Sequence, residues 1–411
     1  MTTLPLKTPF ARLLGTLCCL ALFALPALAL GGGKQKTPRN DPSNDPYSGG
    51  DPEVWAKAGI VSMGGFEFGD SDTKGVDAAL PTSDIRWIET EHFEIGFALG
   101  SYKVSQKEKA KLRAELTELA KVLPNVKPKT KKLDPWLRLH LYAVRAEKLY
   151  DRFLQLVQID DESVFPDGTK SWDTTGTYWG EGPYLGQKGK FEILILPSEA
   201  AHVTYLRDNF GQSNKKSQRW NHVPRQSISV TIHERQGSLK VDIAMHAHLA
   251  FNLGHNLLDG FKFYAYDSPI WLREGIGHFM EREISPKYNT FDGGEGSVPE
   301  MTKKSKWRAE ALKLVRSGKA PRMAEMVRFK NYGELELDHH FTTWSMVDFL
   351  ATAHPKKFAD LIKGLKGITN AEGYSDGSDL PARQRELFKS LWGWSLAQFD
   401  EAWAAWVLET Y

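Results

Sequence analysis

His246-Ala247-His248-Leu249-Ala250-Phe251-Asn252-Leu253-Gly254-His255-Asn256-Leu257-Leu258, followed after a short gap by Pro269-Ile270-Trp271-Leu272-Arg273-Glu274-Gly275-Ile276-Gly277-His278-Phe279-Met280-Glu281, decides how this chain folds. Apolar residues recur at three- and four-residue intervals in both halves, which predicts helices over 241–258 and 270–284. Within them Phe251 and His255 stand at i and i+4, as do Glu274 and His278, so each pair shares a helix face. Residues 256–273, eighteen in all, separate His255 from Glu274.

Trp271-Leu272-x-Glu274-Gly275, with Phe279 and Glu281 after it, resembles the third-ligand helix of gluzincin metallopeptidases, in particular the peptidase MA-like families. In those enzymes an HExxH helix comes first, and in aminopeptidase-type members eighteen residues separate its second His from the ligand Glu. The pattern has a physical basis. Two His at i and i+4 grip one Zn²⁺ through imidazole nitrogens, and the Glu after the first His activates the zinc-bound water. Carried over position by position, only His255 and Glu274 match. The first His falls on Phe251, which cannot ligate zinc, and the general base falls on Asn252, whose amide takes no proton near neutral pH.

Two arrangements remain open. In one, no metal is kept: His255 and Glu274 form a buried hydrogen-bonded pair between the helices, and Phe251 fills the vacated metal volume. In the other, His278 joins His255 and Glu274 in a rearranged zinc site. His248 is awkward as a ligand, since it precedes His255 by two turns, about 10.5 Å along the axis. His246 and His248 are two apart on a helix and point in different directions.

Working outward, the resemblance extends over about residues 84–411. Trp87-Ile88-Glu89-Thr90-Glu91-His92-Phe93 resembles the opening strand of such domains, and Phe93–Phe97 alternates as a strand does. Phe191–Leu196 is a near-continuous apolar run, expected as a central strand, and Ser198–His202 resembles the helix that follows. Ser227–His233 alternates and stands where gluzincins place the edge strand lining the cleft. Helices are predicted over 105–123 and 135–157, the second with Asp134 as N-cap; together they read as an extra helical insertion near 104–165. Residues 160–189 read as a long loop. Further helices are predicted over 307–316, 341–353, 355–364, 381–392 and 396–409. Thr343–Leu350 resembles the helix that carries an aromatic hydroxyl or His toward the zinc, and either His340 or Phe341 stands nearest that position. Ser229 with His233 is strand spacing rather than a triad, Asp160-Asp161-Glu162 reads as a solvated acidic loop, and the C-terminal tryptophans sit at helix-packing intervals.

The first 29 residues have the form of a signal peptide: Lys7 and Arg12, an apolar run from Leu13 to Leu25, then Ala27-Leu28-Ala29. Both cysteines, Cys18 and Cys19, lie inside it. Without it, 51 basic residues balance 51 acidic ones (53 Lys and Arg less Lys7 and Arg12), which does not point to a nucleic-acid partner. Residues 30–82 are rich in Gly, Pro, Asp and Ser and are expected to form a disordered leader.

The expectation is therefore an α+β protein with a zincin/gluzincin-like domain over 83–300, built on a small mixed sheet and two core helices. A helical C-terminal part covers 301–411. It is expected to be secreted or periplasmic and catalytically inactive, with no cofactor and with a peptide, protein or envelope component bound in the inherited cleft. The alternative is an active zinc peptidase using His255, Glu274 and His278.

Overall fold

Every residue of Phe191–Leu196 is apolar except Glu192, so the segment needs cover on both faces. In the structure, a computed structural model that describes residues 38–160, 162–167, 178–265, 268–291 and 305–411, it is the middle strand of a five-stranded sheet. The strands are β1 (Arg86–Glu89), β2 (Phe93–Phe97), β3 (Phe191–Leu196), β4 (Gln218–His222) and β5 (Ser227–His233), in the spatial order β1-β2-β3-β5-β4. The outer pairs are antiparallel, whereas β2–β3 and β3–β5 are parallel. Ile193 stands opposite Ile95 on one side and Val230 on the other. The period of two then divides β3 between two cores. Phe191, Ile193 and Ile195 face the large core under the helices, and Leu194 and Leu196 face a smaller one with Trp87 and Tyr205.

Four helices position the site: α1 (Pro135–Val157), α2 (Asp242–Gly260), α3 (Ile270–Ile284) and α4 (Leu337–Ala353). Asp134 caps α1 by accepting from the Trp136 and Leu137 amides, and Pro135 occupies the first turn. The α1 stripe of Tyr142, Leu149 and Phe153 enters the large core, with Tyr142 against Phe97 and Phe153 against Phe261. Helices also form at Trp307–Arg316, Pro355–Leu365, Leu380–Trp392 and Leu396–Thr410, close to their expected positions.

Four expectations are corrected. The segment 104–165 is not an added insertion, because parallel strands β2 and β3 need a crossover connection and α1 supplies it. Ser227–His233 is not the edge strand: β5 lies inside the sheet, and β4, a polar segment with little alternation, takes the edge. Residues 39–82 are ordered. Their Asp and Pro residues act as caps, Asp51 before Pro52–Lys57 and Asp72 before Thr73–Ala79, and a few well-placed apolar residues (Phe68, Val76, Leu80) close the small core. Ser62 bridges to Glu89 along β1, and buried Asp45 is 2.8 Å from His140 on α1. There is no division at 300/301 either, since residues 39–411 form one compact unit in which α4 packs along α3. Residues 1–29, expected as a signal peptide, and residues 30–37 lie outside the described residues. Among the described residues no helix is long and apolar enough to cross a membrane.

The α3–α4 contact depends on Gly275. A Cβ there would lie 2.5 Å from Val347 Cγ2 and 2.8 Å from the Thr343 carbonyl oxygen, which belongs to the backbone and cannot swing away. Gly275→Ala is expected to destabilise the protein by about 1–3 kcal/mol through overpacking. Gly100→Ala, which meets nothing within 4 Å, should be close to neutral; urea denaturation of the two variants checks this.

His92 ties β2 to α1, with Nδ1 2.7 Å from Glu147 and Nε2 3.3 Å from Glu162. Burial pushes its pKa down, but the two carboxylates outweigh this and raise it from 6.5 to about 9. A raised value favours the folded state fully below 6.5, and that contribution disappears as pH climbs through about 9. The melting temperature should therefore decline over this interval, and His92→Gln should flatten the decline in melts recorded across it.

Candidate functional site

Helices α2 and α3 come together at glycines. A Cβ on Gly254 would lie 3.1 Å from the Gly277 Cα, and a Cβ on Gly277 would lie 2.7 Å from the His255 ring. This close approach brings His255 Nε2 to 3.2 Å from Glu274 Oε1, both side chains fully buried. The expected convergence of the two residues is therefore present, but the expected hydrogen bond is not. The angles are wrong, and among the described residues neither ring nitrogen of His255 has a hydrogen-bond partner.

Phe251 stands one turn before His255, completely buried, its ring centroid 4.7 Å from that of His255 and 5.0 Å from that of His278. Next to it, Asn252 is fixed at both ends of its amide. The nitrogen donates to the His248 carbonyl at 2.8 Å, and the oxygen accepts from Arg219 of β4 at 3.0 Å. The zinc set of the resembled family does not fit these residues, because an apolar ring occupies the place of the first ligand and a clamped amide that of the base.

The other oxygen of Glu274 faces a different group. Oε2 is 3.6 Å from His278 Nε2, one turn along α3, and 3.6 Å from His340 Nδ1 on α4. The two histidine nitrogens are 3.0 Å apart. Among the described residues, Glu274, His278 and His340 are the one group of three or more whose donor atoms converge as metal ligands do. Of His340 and Phe341, His340 is the one that faces Glu274, whereas Phe341 packs on Trp307 at 5.1 Å. His255 touches the cluster only through Glu274 Oε1.

Burial pushes the pKa values of His255 and His278 well below 6.5, with nearby positive groups adding to the effect, so both rings are neutral near pH 7. Burial also raises Glu281 to about 8. Glu281 Oε2 is 3.3 Å from His278 Nδ1, and its Oε1 accepts from Thr290. Thr290 is 3.0 Å from His248 Nδ1, and His248 Nε2 is 2.7 Å from Ser217. A hydrogen-bonded chain thus runs from Ser217 to His340. His248, awkward as a ligand, is a member of this chain, and His246 sits apart, 3.9 Å from Glu115.

A cleft of about 240 Å³ opens beside α2, lined by Arg219, Trp220 and Asn221 of β4 together with Asn256, Arg273 and Tyr332. Asn256 donates to the Ser229 carbonyl of β5 at 3.2 Å, and Arg273 pairs with Asp259 at 2.6 Å. Ser229 and His233 are not joined: the Ser229 hydroxyl meets His222, and His233 meets the Lys215 carbonyl. Asp161 lies outside the described residues, and Glu162 is engaged with His92. Arg219 and Thr290 carried no motif in the sequence. Both lie in polar stretches, and only the fold gives them neighbours.

A scan against protein-family models finds no match to this sequence, and a search of the curated proteins finds none either.

Truncating Phe251 to Ala is expected to cost about 3–5 kcal/mol through lost burial and a cavity between His255 and His278. Chemical denaturation of the variant measures it.

Proposed function

We propose that this chain is an exported protein on a gluzincin-like scaffold that binds a peptide, protein or envelope component in its cleft and does not hydrolyse peptides. The observation that carries the reading is Asn252. It occupies the general-base position, and Arg219 together with the His248 carbonyl holds it in place, so the amide supplies no proton acceptor for a water nucleophile. Phe251 supports the same reading, because an apolar ring takes the place of the first zinc ligand. The cleft fits binding. It is lined by both charges and aromatic rings, and strand β4 along its rim offers main-chain groups to an extended segment, the geometry used in strand addition. The alternative, a working peptidase built from His255, Glu274 and His278, is weakened by the complete burial of all three.

The test pairs activity with binding. Purified protein incubated with quenched fluorescent peptides, with and without added Zn²⁺, is expected to leave them uncleaved. Selection from a randomised peptide library should yield binders that protect the Gln218–His222 amides from hydrogen exchange, and that bind Arg219→Ala at least several-fold more weakly. Chelator-sensitive cleavage that disappears in Glu274→Ala would overturn the proposal in favour of the peptidase.

A further inference from the structure

We infer that Glu274, His278 and His340 form a buried metal site, displaced from the set of the resembled family and serving to cross-link α3 and α4. The donor atoms Glu274 Oε2, His278 Nε2 and His340 Nδ1 form a triangle with sides of 3.6, 3.6 and 3.0 Å. Donors about 2.0–2.2 Å from a tetrahedral zinc ion stand about 3.3–3.6 Å from one another. The triangle can therefore close on an ion with shifts of a few tenths of an ångström.

The surroundings match what such an ion needs. Ligating histidines ordinarily give their second ring N–H to a carboxylate, which fixes the tautomer. His278 Nδ1 has the Glu281 carboxyl group 3.3 Å away as such a partner, and Thr290 holds that group from its other oxygen. With the proton placed on Nδ1, the Nε2 lone pair is directed at the triangle. Trp307 meets the His278 ring at 4.6 Å and Phe291 meets the His340 ring at 4.9 Å, both edge-on, so neither imidazole is at liberty to rotate. His255 lies behind the carboxylate, its Nε2 3.2 Å from Glu274 Oε1. All three donor side chains are fully buried, and a cation among them offsets the cost of placing a carboxylate there.

The donor set of one carboxylate and two imidazoles suits Zn²⁺ among the divalent ions. Three protein donors leave one position, which falls to a single trapped water. The complete enclosure makes this a structural ion rather than a catalytic one. The inference does not depend on the cleft having a ligand, and metal content is read separately from peptide binding.

The experiment is elemental analysis of the full chain after refolding with Zn²⁺ and extensive dialysis, together with refolding in Co²⁺ and a visible d–d spectrum. About one ion per chain is expected, with a cobalt spectrum of low-coordinate nitrogen and oxygen ligation. His340→Gln and His278→Gln should each lower the metal content at least tenfold, whereas His255→Ala should keep it. Wild-type protein that refolds, as judged by circular dichroism, without retaining zinc or cobalt overturns the inference, whatever the variants do. Retention by His340→Gln with loss in His255→Ala also overturns it, since the ion would then belong to the α2–α3 pair.

Discussion

Gly254 and Gly277 set the distance between two helices, and most of the chemistry described above follows from that distance. A methyl group at Gly254 would crowd the Gly277 backbone at 3.1 Å, and one at Gly277 would meet the His255 ring at 2.7 Å and displace it. Gly275, two residues earlier on α3, performs the same service toward α4 and admits His340. Glu274 therefore sits where three helices meet, with one oxygen toward each of two partner sets.

Such an arrangement places ionisable groups where charge is expensive. His255 and His278 meet the cost by remaining neutral, and Glu281 by a raised pKa. At the start of α2 the solution differs. Asp242 stays ionised, its pKa lowered despite burial, because Arg145 lies 2.8 Å away and Tyr142 donates to it. The fold thus uses neutralisation near the histidine cluster and ion pairing at the helix end, where the carboxylate also meets the helix dipole.

Much of this was legible in the sequence, and what escaped did so for physical reasons. The periodicity of α2 and α3 predicted the two helices, and the resemblance to the gluzincin spacing led to the expectation that His255 and Glu274 converge. They were silent on hydrogen-bond angles, which depend on rotations of a few tens of degrees. The i,i+4 relation placed His278 beside Glu274, but the choice of His340 needed the crossing of α4, and no local pattern encodes that crossing. The segment 39–82 was misread because composition measures average burial. A few apolar residues at the right positions, held by Asp-capped turns, order a stretch whose average is polar. Strand β4 has too little alternation to be distinguished from a loop, and pairing with β5 makes it a strand.

The sheet order has a kinetic side. β1 with β2, and β4 with β5, are hairpins joined by short turns, so each can close locally. β3 is different. Phe191 must find Phe93 across the whole of α1, and Ile228 on its other side, before either parallel ladder forms. Loop-closure entropy is thus concentrated in one strand instead of being spread over the sheet. The hairpins are inexpensive to nucleate, and the arrival of β3 between them commits the chain to its topology.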